Sequence, residues 1–134
     1  MTPSNPQNQL LFVYGTLKRG YGLNSFINTK GDGSFIDECI TIKDYTMYHA
    51  GYPVVSSEPR HPVKGELYEV NPRVFGELDR IEGAYDRVLV EVRDNEGTIH
   101  EAWMYLGSKW RHNMSRYTPH DGVYVWSRDA ELEG

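Results

Sequence analysis

One cysteine among 134 residues, Cys39, excludes an intrachain disulfide and a zinc site built on cysteines. It sits in the alternating stretch "IDECITI", where a thiol reads as small core filler rather than as a nucleophile. Cations do not cluster beyond Lys18-Arg19, and the formal net charge is −5. Without clustered cations to displace counterions from phosphate, nucleic acid is not expected as a partner, and neither is a membrane surface. No apolar run approaches the length that spans a bilayer. The histidines (His49, His61, His100, His112, His120) share no metal-ligand spacing, so no metal is expected. His100, beside Glu101 in a strand, is expected to be exposed. The patterns G-x-x-x-x-G-K-[ST] and G-x-G-x-x-G are both missing. Ser25, Ser56 and Ser57 lack a nucleophile-elbow context, which removes support for a serine hydrolase triad.

What remains is a chain of single-domain length with no internal repeat and no linker. Its polar N-terminus lacks a signal peptide's apolar segment. Residues 1–9 read as a disordered leader, 10–128 as the domain and 129–134 as an acidic tail. The lone thiol fits a reducing compartment, and a cytoplasmic location is expected. Ten tyrosines and three tryptophans exceed what a core of this size requires, and tyrosines lining a polar pocket would account for some of them.

Along the chain, "LLFVY" (10–14) suits a strand covered on both faces. "LNSFINTK" (23–30) suits a short helix. Residues 35–48 alternate as one long strand or two broken ones, and 50–62 read as a loop from their Gly, Pro and Ser content. "VKGELYEV" (63–70) is a strand whose central glycine marks a bulge or a close backbone approach. Residues 71–83 form the clearest helix, with Asn71 as N-cap, Pro72 at the first position and Gly83 placed to end it. Residues 85–106 form a hairpin, with Val88, Val90 and Val92 on one face. Residues 122–126 suit a last strand. The expected fold is α+β, a small mixed sheet curled around its own core.

Two places carry chemistry. On the helix, Val74, Phe75, Leu78 and Ile81 fall within an arc of roughly 120°. Glu82 falls in the same arc, at the C-terminus, where the macrodipole disfavours a negative charge. Desolvation and the dipole both raise a carboxylate's pKa, toward what a general base needs near neutral pH. A frayed glutamate turned to solvent is the competing reading. At the other place, Tyr14-Gly15-Thr16-Leu17 ends a buried strand without a polar transition. A sharp turn there leaves N–H groups able to form an anion site or an oxyanion hole, and a plain capped turn is the alternative. Glu66 could pair with Glu82 for glycoside chemistry, although an exposed strand glutamate is the simpler expectation.

Taken together, "FVYGTLKRG" (12–20), "VKGELYEV" (63–70), "LDRIEGAYDRV" (78–88) and "AWMYL" (102–106) resemble the γ-glutamylcyclotransferase-like family, which includes γ-glutamylamine cyclotransferases and AIG2-like proteins. The resemblance covers most of residues 10–106 and implies a small mixed β-barrel with flanking helices. It implies that the Tyr14, Gly15, Thr16 and Leu17 turn binds a small γ-glutamyl substrate through backbone N–H groups. It also implies that Glu82 is the acid/base and that Tyr105 lines the pocket, while Tyr85 and Arg87 order the site. The implied reaction is cyclisation to 5-oxoproline with release of an amine, without a metal or organic cofactor. A non-catalytic binding protein using the same pocket is the alternative. Residues 107–134 match the family poorly.

Overall fold

The computed structural model describes residues 8–15, 18, 33–49, 53–83, 85–107 and 114–127. Its elements are β1 (Gln9–Val13), β2 (Gly33–Thr41), β3 (Tyr45–His49), β4 (Pro53–His61), β5 (Lys64–Val70), α1 (Pro72–Ile81), β6 (Asp86–Asp94), β7 (Ile99–Leu106) and β8 (Ser115–Arg116). The expected helix at 23–30, residues 1–7 and residues 128–134 lie outside the described residues. β1 begins at Gln9, inside the stretch expected as leader.

Five strands close into a barrel in the order β1-β5-β2-β6-β7, and β4-β3-β8 form a second, smaller sheet. The barrel is mixed, because β1 runs parallel to β7 at Leu11 and Trp103 while its other pairings are antiparallel. β1 is apolar on both faces because both are covered. Leu10 and Phe12 join Leu67, Val90, Val92, Ala102 and Met104 in one core cluster, which continues into Met47 and Val55 of the second sheet. Leu11 and Val13 face the other way, packing with Tyr68, Val70 and Tyr105 against Val74, Phe75 and Leu78 of α1. The helix begins where the sequence predicts. Asn71 Oδ1 accepts from the N–H of Arg73 at 3.0 Å, and Pro72 occupies the first turn.

Gly65 shows why β5 carries a glycine at its centre. A Cβ there would overlap the carbonyl oxygen of Val13 and lie 2.8 Å from Cζ of Phe12. The strand backbones and the Phe12 ring close over this position.

Several expectations give way to the structure. Most of the stretch 50–62 expected as a loop is strand β4. It lies at the edge of its sheet, where proline is tolerated because one side needs no ladder partner. The register jumps from Thr46↔Ser56 to Tyr45↔His61, so Pro59 falls in a bulge. Residues 122–126 form isolated bridges, Val63↔Tyr124 and His120↔Val123, rather than a strand. His100 is buried, not exposed, and its Nε2 lies 2.7 Å from Asp94 Oδ2. The phase of β7 is set by Ala102 and Met104, which point into the barrel and carry His100 with them, leaving Ile99 outside.

Candidate active site

Four segments converge at one end of the barrel. β1 runs out at Tyr14 and Gly15, and a hydrogen bond from the Lys18 N–H to the Gly15 carbonyl, 2.9 Å, closes a turn. Thr16 and Leu17 lie outside the described residues. A Cβ on Gly15 would approach Cγ of Pro53 to 2.6 Å, so the bend is pressed against the start of β4. The Tyr85 hydroxyl donates to the Pro53 carbonyl at 3.2 Å, drawing in the segment after α1. At the end of β7, the Gly107 N–H donates to the Val55 carbonyl at 2.9 Å. A Cβ on Gly107 would lie 2.7 Å from Val54 Cγ1 and 3.1 Å from Tyr85 Cε2.

Glu82 is the C-cap residue of α1. Its N–H donates to the Leu78 carbonyl at 2.7 Å, and its carbonyl accepts from Tyr85 at 2.7 Å. These two bonds hold its backbone at the helix end. The side chain is half-buried, and burial raises its carboxyl above the usual glutamate range. The charge of Glu82 reaches both neighbouring tyrosines. Tyr14 is raised well above the ordinary phenol range by burial first, then by Tyr85 and Glu82. Tyr105 is raised by burial first, then by its bond to Asp79, with Glu82 adding to the same direction. The Tyr14 hydroxyl donates to the Tyr105 carbonyl at 2.6 Å across 91 residues of chain. The structure thus joins Tyr14 to Tyr105 directly, with Gly15 next to Tyr14 in the chain, and Glu82 is near enough for its charge to act on both tyrosines.

Around them stand residues that sequence reasoning did not connect. The Tyr105 hydroxyl donates to Asp79 Oδ1 at 2.7 Å, and Arg87 Nη2 lies 3.3 Å from Asp79 Oδ2. Lys18 Nζ donates to the Trp126 carbonyl at 2.7 Å, which ties the segment after β8 to the turn. Burial lowers the Lys18 ammonium's pKa, while the charges of Glu66 and Glu38 oppose the shift. Glu66 is not the exposed strand residue expected. It is 8% exposed and accepts from the Tyr68 hydroxyl at 2.9 Å, because its face of β5 is the one that carries Tyr68 and Val70. Among the described residues, no group of three or more His, Cys, Asp or Glu is placed to hold a metal ion. No helix among them is long and apolar enough to cross a membrane.

Comparison with known proteins gives this geometry a family. The model of the family described as gamma-glutamyl cyclotransferase, AIG2-like, matches residues 11–128. Troponin C-akin-1 protein of Drosophila melanogaster is 32% identical over 116 residues, covering 78% of this chain and 69% of the fly protein. The gamma-glutamylaminecyclotransferase of Rattus norvegicus is 33% identical over 93 residues, covering 62% of each. Among solved structures, an AIG2-like protein from Mus musculus superposes with a TM-score of 0.75 at 24% identity, covering 92% of this chain and 98% of that one, which shows a shared fold. The chain belongs to the gamma-glutamyl cyclotransferase, AIG2-like family.

Proposed function

We propose that this chain cyclises a γ-glutamyl amine or peptide to 5-oxoproline and releases the amine, with Glu82 as the acid/base. One observation supports the reading: the half-buried carboxyl of Glu82, raised by burial, acts electrostatically on Tyr14 and Tyr105, which are bonded to each other. The family's name and that of the rat relative supply the substrate class.

The substrate's α-amino nitrogen attacks its own γ-carbonyl carbon, a C–N bond forms, and the C–N bond to the leaving amine breaks. Nucleophile and electrophile share one molecule, so the pocket's first task is to hold the cyclising rotamer. Glu82 takes the proton that the attacking nitrogen must lose and passes it to the leaving nitrogen, which regenerates the carboxylate. Backbone N–H groups of Tyr14, Gly15, Thr16 and Leu17 bind the substrate and stabilise the tetrahedral oxyanion. Tyr105 walls the pocket. Every atom of the two products comes from the substrate, so the step balances without a co-reactant. The single buried thiol, Cys39, suits a cytoplasmic site of action.

Incubation with a panel of γ-glutamyl amines and γ-glutamyl peptides should release 5-oxoproline, read by mass spectrometry. A folded protein that bound members of the panel and released none would leave a binding role in place of catalysis. The base must be ionised to act, so kcat/KM should rise with pH along an acid limb. Because burial raises Glu82, the midpoint should lie above the free-glutamate value of about 4.3. A limb at or below that value would remove the case for Glu82 as the base.

A further inference from the structure

We propose that Asp79 is a positioning residue, docking the last turn of α1 onto the barrel and so fixing the helix end that carries Glu82 relative to the Tyr14–Gly15 bend. The inference rests on the role of Glu82 proposed above.

Asp79 stands where a helix disfavours it. The last turn of α1 carries the negative end of the macrodipole, yet Asp79 and Glu82 both lie there. The nearby cation, Arg80, is engaged elsewhere, with its Nη2 2.7 Å from Glu77 Oε2. What offsets the charge of Asp79 comes from the barrel. Oδ1 accepts from the Tyr105 hydroxyl at 2.7 Å, and Oδ2 lies 3.3 Å from Arg87 Nη2. Tyr105 and Arg87 are direct cross-strand partners on β7 and β6, so one carboxylate spans a single rung of the hairpin.

Arg87 is itself held by both bodies that it joins. Its Cζ lies 4.2 Å from the ring centroid of Phe75 on α1 and 4.7 Å from that of Trp103 on β7. Tyr105 has two engagements. Its hydroxyl holds Asp79, and its carbonyl holds the Tyr14 hydroxyl at 2.6 Å. The anchor of the helix end and the anchor of the bend thus meet in one residue. Asp79 precedes Glu82 by three positions, so a rotation or shift of the last turn moves both together.

Asp79 is 45% exposed at its side chain and Arg87 29%, and ion pairs this exposed contribute little to global stability. Their effect should appear in placement, where a shift of about 1 Å can cost on the order of 10²-fold in rate. The test compares Asp79→Ala with Asp79→Asn in the full chain, reading kcat, KM, Tm and hydrogen exchange at the Glu82 amide. Asp79→Ala should lower kcat by roughly 10- to 100-fold, with KM within about three-fold of native. Asp79→Asn still offers the Tyr105 hydroxyl an acceptor and should restore kcat to within about three-fold of native. The Glu82 amide should exchange faster in the alanine variant and near the native rate in the asparagine variant, with β5 amides unchanged in both. Equal kcat loss in the two variants, or native kcat and native Glu82 protection in Asp79→Ala, would overturn the proposal. A native chain without turnover would defeat the functional reading, yet the exchange comparison would still decide the tether. Faster exchange confined to Asp79→Ala supports it, and unchanged exchange removes it.

Discussion

Glu82→Gln should leave the barrel folded and lower the cyclisation rate by about 10²- to 10⁴-fold, the range a positioned acid–base group contributes. The amide keeps the size of the side chain and loses the ability to take a proton, so KM should change little beside kcat. The acid limb of the pH profile should vanish with it. Stability should move the opposite way. Burial raises the native pKa of Glu82 above its unfolded value, so the folded state binds the proton more tightly. Stability from this group is then fully present below the unfolded pKa and falls as pH rises toward the raised native value. Wherever the carboxylate is charged, its burial is a burden on the fold that glutamine does not carry. Glu82→Gln should therefore melt at or above the native temperature at pH 7, with the advantage fading as pH falls below the free-glutamate value of about 4.3. Native-level release of 5-oxoproline by the folded variant would remove Glu82 from the chemistry. A variant that unfolds would point instead to a structural role.

Gly65→Ala should be among the most damaging methyl groups that can be added to this chain. The new Cβ would overlap the Val13 carbonyl oxygen and press on the Phe12 ring, which is 1% exposed and has nowhere to go. Backbone cannot yield as a flexible side-chain tip can, so the strands must separate. The expected cost is about 3 kcal/mol or more, near the upper end for overpacking. For a domain of this size that lowers Tm by roughly 10 °C or more. Gly76 provides the control. It lies on the exposed face of α1 with nothing within 4 Å of its would-be Cβ. Gly76→Ala should stabilise by about 0.5–1 kcal/mol through helix propensity alone. Equal melting of the two variants, by calorimetry or denaturant titration, would contradict the packing described at Gly65. Val13 directly precedes the Tyr14–Gly15 bend, so the Gly65→Ala protein that remains folded should also lose activity.

Where a structural cause was local, it could be read from the residues. Asn71-Pro72 announces the start of α1, the alternation of Val88, Val90 and Val92 gives the inner face of β6, and Gly65 advertises a close approach that the barrel then shows. Where the cause was a neighbour distant in the chain, it could not be read. β4 looks like a loop because its Pro53 and Pro59 are permitted by an edge position and a bulge, and both are properties of the sheet. His100 stands beside the exposed Glu101, while Asp94, which holds it, lies on the neighbouring strand, so its burial escapes notice. The position of Glu82 at the end of α1 follows from the local start and stop signals of the helix. The clamp of Asp79, Arg87, Tyr105 and Trp103 joins a helix to two strands, and no window of sequence contains it.

Closure of the barrel by its first strand against β7 has a consequence for the timing of synthesis. The hydrogen bond from Tyr14 to Tyr105 cannot form until the hairpin that carries Tyr105 has been made and has wrapped back onto β1. Contacts this remote are slow to form, because the chain loses loop entropy before they reward it. A nascent polypeptide stalled before β7 would hold the bend and the glutamate yet lack the strand against which both are set. The proposed turnover therefore requires β7, and a fragment that ends before it should release no 5-oxoproline.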